Sequence, residues 1–382
     1  MNSFLLKIYA YRFFDDFVLI YPLYMVMFTD YQMEPWQLAV LLATWSATSF
    51  FLEIPSGVWA DRYDRKNILF IGQLLRAFGY ACWLLFPGFW GFLVGFVCWG
   101  IKSAFTSGTF QALIYDELKY YKKEGAFTKI LGRTETIAFI AILAASFLAS
   151  PVILLGYNAV LMLSILALVL SSMMLLTIPK VHPVAYTPQK TYFSLLRKGL
   201  HKTFQHPPIF HFLIFLSLTL TLGGALDEFW TVFADQAGLP KYGLGLFLGA
   251  MSGAQAIASF IAYRFEKYPN SLFYFLFLAT GLMLFGAAYL FSIPALLLLV
   301  LFSFFFTIIQ IVYEGRLHHV IDSPTRATIS SISGFLTEIG SLLVYFSFAF
   351  LAQSYNYRTA FLTYGLIVAM VGVGYLVLGK RF

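Results

Sequence analysis

At 382 residues, 60% hydrophobic, 19% aromatic and only 11% charged, the chain is far more apolar than a soluble domain, where roughly 45–50% apolar and 25% charged residues are usual. That balance excludes a water-soluble fold, and the +7 net charge is assigned to loops touching anionic headgroups, because the soluble basic face that nucleic acid requires is missing. The length accommodates about twelve spans of roughly 20 residues with short connections and leaves little for any soluble domain.

In chain order, spans are predicted near 7–28, 36–58, 68–86, 90–112, 132–153, 157–178, 210–233, 243–264, 271–292, 294–313, 327–351 and 357–378. Charge, Pro or Gly bounds each one. Phe86-Pro87-Gly88 and Ser292-Ile293-Pro294 are turn chemistry between closely spaced helices. The first span has no small-residue cleavage site and is read as retained. Residues 179–209 are polar and rich in Pro, His and Lys, a cytoplasmic linker with an amphipathic piece around Tyr192 to Phe204. The linker separates a bundle over 1–178 from another over 210–382. These halves repeat: Asp235 follows Asp30 by 205 residues in matching surroundings, and at that offset Glu266-Lys267-Tyr268 falls on Asp61-Arg62-Tyr63. Counted from an inside N-terminus, one face collects nearly all Lys and Arg, and the other keeps only Lys241 and Arg358. The positive-inside rule then places both termini in the cytoplasm, and a bacterial inner membrane is expected.

Between the second and third spans, Gly57-Val-Trp-Ala-Asp61-Arg62-Tyr-Asp64-Arg65-Lys66 packs five charges into a loop that must sit at a membrane face. Its spacing resembles the signature loop of the major facilitator superfamily, with Asp64 standing where the family usually has Gly. Glu53-Ile-Pro55-Ser-Gly57, Ser107-Gly108 through Asp116-Glu117, and Pro324-Thr-Arg326-Ala-Thr-Ile-Ser330 resemble family patterns at corresponding positions. The similarity covers essentially the whole chain. It implies an all-α membrane protein of the major facilitator fold, twelve transmembrane helices in two pseudo-symmetric six-helix bundles, acting as a monomeric secondary active transporter. It also implies a conformational latch of Gly57, Asp61, Arg62, Arg65, Lys66 and Asp116. In that latch Asp61 would sit near the N-terminus of span eleven (Thr328, Ser330), where the helix dipole favours an anion, and Arg65 would bridge it to Asp116. The alternative is that these charges merely mark a loop and stop the helices sliding.

A charge at mid-bilayer costs at least about 2.5–3.5 kcal/mol on insertion scales, so each one within a span has a role or a partner. Asp15, Asp16, Glu53, Arg76, Lys102, Asp227, Glu228 and Glu338 form that set. Carboxyls in a low-dielectric cavity can load and release protons, which makes Asp15, Asp16, Asp227, Glu228 and Glu338 the proton-coupling candidates. For Asp16 the alternative is an ordinary ion pair with Arg12, one turn earlier. For Asp227 and Glu228 it is wetting at the outer end of span seven. Glu53, one turn from Gly57, is read with the latch. Lys102 and Glu338 are read as partners of each other or as substrate contacts, and Arg76 as snorkelling inward.

The resemblance further implies a central cavity lined by spans one, four, seven and ten. Candidates there are Tyr21, Tyr24, Trp99, Lys102, Phe105, Trp230 and Phe306, joined by Phe229, Phe302 and Phe305, with Gln310 as a polar handle. Such a lining suits an apolar or aromatic solute, including a cation held by cation–π contact. With 43 Phe and 24 Tyr, the alternative for any single ring is packing or a lipid-facing belt. Gly245, Gly249 and Gly253 in span eight and Gly365, Gly372 and Gly374 in span twelve are read as packing faces. His182, His201, His206, His211, His318 and His319 are read as solvated residues of cytoplasmic connections, with metal binding at His318-His319 as the alternative. Two cysteines and no phosphate-binding Gly-Lys-Ser/Thr loop leave no metal, cofactor or enzymatic chemistry to expect. Span five lacks the Gly-Pro element typical of family exporters that exchange drugs for protons. The leading reading is proton-coupled efflux of a small amphipathic or hydrophobic solute, with protons and membrane lipids as the other partners. The alternatives are a carrier for a specific metabolite (siderophore, sugar or amino acid) in either direction, and a non-transporting receptor or scaffold.

Overall fold

A computed structural model describes residues 2–178, 207–320 and 326–378. The amphipathic stretch around 192–204, His182, His201 and His206 lie outside the described residues, as do the side chains of Asp61, His318, His319, Arg326, Thr328 and Ser330. Among the described residues there is no strand. Ten helical stretches among them, from Arg65–Leu85 to Tyr357–Val377, are long and apolar enough to cross a membrane. The first two predicted spans are not among the ten. The second coincides with α3 (Pro35–Arg62, 28 residues), a helix long enough to cross a membrane.

The first span is not one helix. α1 (Asn2–Asp16) stops at its second carboxylate, the backbone unwinds through residues 17–23, and α2 (Tyr24–Asp30) resumes. Pro22, which lacks an N–H and disfavours helix at the residue before it, lies inside the break. Backbone groups freed in an apolar setting need partners. The Ile20 N–H donates to Ser164 Oγ at 3.1 Å, and Arg76 donates to the Asp15 carbonyl at 3.2 Å. Span seven divides likewise at Glu228-Phe229 into α9 (Pro207–Asp227) and α10 (Trp230–Gln236). The two interruptions fall at corresponding places in the sequence repeat. Span four also divides, into α5 (Phe89–Thr106) and α6 (Thr109–Tyr120), at Gly108, whose φ of +71° favours glycine.

The signature segment is mostly helix rather than loop. Gly57 to Arg62 complete α3, and only Tyr63 and Asp64 connect it to α4 (Arg65–Leu85). Asp64 is the N-cap of α4, its carboxylate accepting from the Lys66 N–H at 3.0 Å. Aspartate is among the best N-cap residues, which explains why this departure from glycine is tolerated.

Helix packing separates the described chain into two compact units, residues 2–33, 40–178 and 241–246 in one, and 34–39, 207–240, 247–320 and 326–378 in the other. In the first unit, α1, α4, α6, α7 (Phe127–Val152) and α8 (Tyr157–Thr177) enclose a core that includes Ile8, Tyr11, Leu69, Leu113 and Leu175. In the second, α11 (Lys241–Ile261) from residue 247 onward, α12 (Asn270–Leu290), α13 (Leu296–Val320), α14 (Arg326–Ser354) and α15 (Tyr357–Leu378) accompany α9 and α10. His211 is not a solvated loop residue. It is buried in α9, with a ring nitrogen 2.5 Å from the Tyr274 hydroxyl.

Close backbone approach in the second unit uses Gly281 of α12 with Gly365 and Gly372 of α15. A Cβ on Gly372 would run into the backbone of Leu278, whereas one on Gly374 would meet nothing within 4 Å. Gly372→Ala is therefore expected to cost about 1–3 kcal/mol by overpacking, and Gly374→Ala to cost nothing. Unfolding of both variants in mixed micelles checks this, and equal stability would remove the glycine contact as the cause.

Candidate functional site

Three features gather the polar chemistry: a charge network in the first unit, a cavity in the second, and the ion pair beside the signature segment.

The network is built around the break in span one. Asp15, fully buried, receives Lys102 Nζ of α5 at 2.8 Å and Arg76 Nη1 of α4 at 3.2 Å. Arg76 is only 1% exposed, so it does not snorkel. It also donates to the Tyr21 and Tyr80 hydroxyls and lies 4.9 Å from the Trp99 ring centre, so aromatic faces supply the attraction that water would give elsewhere. The donation to the Asp15 carbonyl sets a cation at the C-terminal end of α1, where the helix dipole favours one. Arg12 extends the network to Asp16 and Glu135, each at 3.2 Å. Arg12, Arg76 and Lys102 thus balance Asp15, Asp16 and Glu135. Lys102 has Asp15 as its partner, and Tyr21 and Trp99 stack at 5.5 Å over Arg76. Tyr24 packs instead into an aromatic cluster with Phe28, Trp83 and Phe96, and Phe105 lies edge-on to Trp59.

In the second unit a cavity of about 220 Å³ opens between α9, α10, α11 and α13. Asp227 lies deep in the bundle but stays accessible because it faces this space, with the Trp230 indole in hydrogen-bonding reach of its carboxyl. Trp230, Phe302 and Phe306 form the aromatic wall, Phe302 and Phe306 stacking at 4.8 Å. Gln255 and Gln310 bring carboxamides. The Thr219, Ser303 and Thr307 hydroxyls each donate to a carbonyl one turn back in their own helices, so their lone pairs remain for a ligand. Among the described residues, no Lys, Arg or His lines the space. A Cβ on Gly223 would overlap the Phe306 ring, so glycine is needed there to seat the wall. Glu228, in the break, and Glu338, in α14, share with Asp227 electrostatic reach of the buried Tyr345 hydroxyl. Phe229 stacks on Phe348 and Phe305 lies against Phe304.

Beside the signature segment, Arg65 is paired with the largely buried Asp116 of α6, and Lys66 and Lys7 donate to the Ile178 and Thr177 carbonyls at 3.0 and 2.5 Å, closing the end of α8. Gly57 and Arg62 are exposed on the last turns of α3, and Glu53 accepts from Ser107 Oγ at 3.5 Å. Sequence reasoning missed several members of these groups. Gln255 carried the same signal as Gln310, a carboxamide in an apolar span. Lys241, counted only for orientation, pairs with Asp30, which also accepts from the Tyr157 hydroxyl at 2.6 Å. Nothing local marks that pairing, because its members are far apart in the chain.

The Major Facilitator Superfamily family model matches residues 6–344. A relative from Bacillus subtilis (strain 168), the uncharacterized MFS-type transporter YxaM, is 22% identical over 240 residues, which span 60% of this chain and 58% of that protein. Among solved structures, the nucleoside transporter NupG superposes with a TM-score of 0.80 at 15% identity, covering 100% of both chains. A bacterial homolog of the human lysosomal transporter Spinster superposes with a TM-score of 0.74 at 13% identity, covering 100% of this chain and 96% of the other. At such identities the superpositions establish the fold, and the family match over most of the chain establishes the class. The chain belongs to the major facilitator superfamily and is a multi-pass membrane protein.

Proposed function

We propose that this protein exports a small amphipathic solute in exchange for protons, with Asp227 and Glu228 as the coupling carboxyls. The single observation that carries the proposal is the cavity of the second unit, where Asp227 faces an aromatic wall with no cation among the described lining residues. A carboxyl so placed can hold either a proton or a positively charged group, which is the elementary requirement for exchange. Helix interruptions at corresponding positions of two repeats point to binding sites in transporters, and Glu228 lies in one of them. The Trp230 indole, in hydrogen-bonding reach of the Asp227 carboxyl, would bear on its proton affinity. Asp15 and Asp16 are assigned instead to holding the first unit's network, since their carboxylates are committed to Arg12, Arg76 and Lys102. Cytoplasmic termini in a bacterial inner membrane and a monomeric state complete the reading.

The test is flux through purified protein in proteoliposomes, using lipophilic cationic dyes and an inward proton gradient. Gradient-driven dye efflux is expected. Solute counterflow without any response to pH would instead favour a carrier for a specific metabolite. That second reading draws on Gln255, Gln310 and the three hydroxyl acceptors of the cavity wall, and on fold neighbours that include a nucleoside transporter and a peptide transporter. No flux of any solute would leave a receptor or scaffold.

Arg65 and Asp116, with Asp61, are assigned to a conformational latch. Arg65→Gln strips a largely buried carboxylate of its cation, at a cost of about 1–3 kcal/mol. Solute binding is expected to persist while turnover falls, and wild-type turnover in that variant would reduce these residues to a structural role.

A further inference from the structure

We infer that the cavity of the second unit is a site for a protonated organic amine, with the ammonium group at Asp227 and an apolar or aromatic body against Trp230 and Phe306. The inference deepens the proposed exchange reading and rests on it for its transport meaning, but the site is argued from its wall alone. Among the described lining residues, the one ionisable side chain is the carboxylate of Asp227. An anionic solute would meet that charge with no compensating cation. The remaining polar atoms are mainly acceptors, because the lining hydroxyls have spent their protons on backbone carbonyls. An ammonium group brings three donors and no acceptor, which matches such a wall, and the neighbouring indole and phenyl rings favour a cation over their faces. The carboxamides of Gln255 and Gln310 can add oriented hydrogen bonds. A space of about 220 Å³ accommodates a small monoamine.

Gly224 offers a way to test this without knowing the natural solute. It lines the cavity, and a Cβ there meets nothing within 4 Å, so a side chain at this position projects into open space. In full-length Gly224→Cys protein in detergent, the introduced thiol is labelled with aminoethyl methanethiosulfonate, which is cationic, and with sulfonatoethyl methanethiosulfonate, which is anionic. Mass spectrometry separates this thiol from the buried Cys82 and Cys98. Relative to the reagents' rates with a free thiol, the cationic one is expected to be favoured by roughly tenfold or more, as one nearby carboxylate at intermediate dielectric allows. The preference is expected to collapse when Asp227→Asn is added. 2-Phenylethylamine is expected to protect the thiol, and 2-phenylethanol at the same concentration to protect much less. Absence of labelling, a charge preference unaffected by Asp227→Asn, or equal protection by the alcohol would each overturn the amine assignment. These readouts need no gradient. Their failure alongside intact pH-driven flux rejects the amine site alone, whereas their success without pH-driven flux rejects the coupling.

Discussion

Asp15→Asn is expected to remove about 3–5 kcal/mol of stability, the usual consequence of breaking a buried ion pair by deleting one partner. The substitution keeps the side-chain volume, so packing loss does not contribute. What changes is that Arg76 and Lys102, both buried, lose the one carboxylate they share at 3.2 and 2.8 Å. The unwound segment after α1 also loses part of its anchorage, because Arg76 holds the Asp15 carbonyl and the Tyr21 hydroxyl. Combining Asp15→Asn with Lys102→Met removes one of the stranded cations and is expected to recover part of the loss, a non-additivity characteristic of groups in contact. Unfolding free energies in mixed micelles check both variants. A loss under about 1 kcal/mol, the scale of solvated surface pairs, would mean that the network is hydrated and is not the anchor of span one. A folded Asp15→Asn protein that had lost its response to pH would return Asp15 to the coupling machinery.

Asp227→Asn combined with Glu228→Gln is expected to abolish the response of solute flux to an imposed pH gradient while leaving counterflow in place. A gradient of one pH unit supplies about 1.4 kcal/mol per proton exchanged, enough for roughly tenfold solute accumulation at one proton per solute. The double variant is expected to show no accumulation, because neither side chain can release a proton in its amide form. Counterflow needs only binding and the conformational cycle, so its survival separates lost coupling from lost folding. Accumulation at the wild-type level in the double variant would remove both residues from the mechanism and leave Glu338 as the next carboxyl to examine.

Much of the architecture was legible in the chain because a bilayer imposes simple rules. Long apolar runs, Pro and Gly at the turns, and a signature segment from Gly57 to Lys66 point to a membrane-embedded helical transporter before any tertiary contact is known. The rarity of intramembrane charge also marked Asp15, Lys102, Asp227 and Glu228 as residues with work to do. Other features carried uneven local signals. Pro22 and Gly108 are residue types that suit the breaks in spans one and four, but nothing in the sequence around Glu228-Phe229 announces the interruption of span seven. The signature segment looked like a loop because of its charges. It is mostly helix because only Tyr63 and the N-cap Asp64 are needed to turn the chain.

Partnership was the part that sequence did not determine. Arg76 reads as a snorkelling cation when its neighbours in the chain are all that is considered, yet it is buried because Asp15, Tyr21, Tyr80 and Trp99, from three other stretches of chain or another turn of its own helix, surround it. Composition and periodicity determine that these helices lie in a membrane and roughly where each begins, since transfer into lipid acts on each segment independently. Which polar side chains meet, and therefore which charges are neutralised and which face open space, depends on distances between segments far apart in the chain, and only the packed helices decide those.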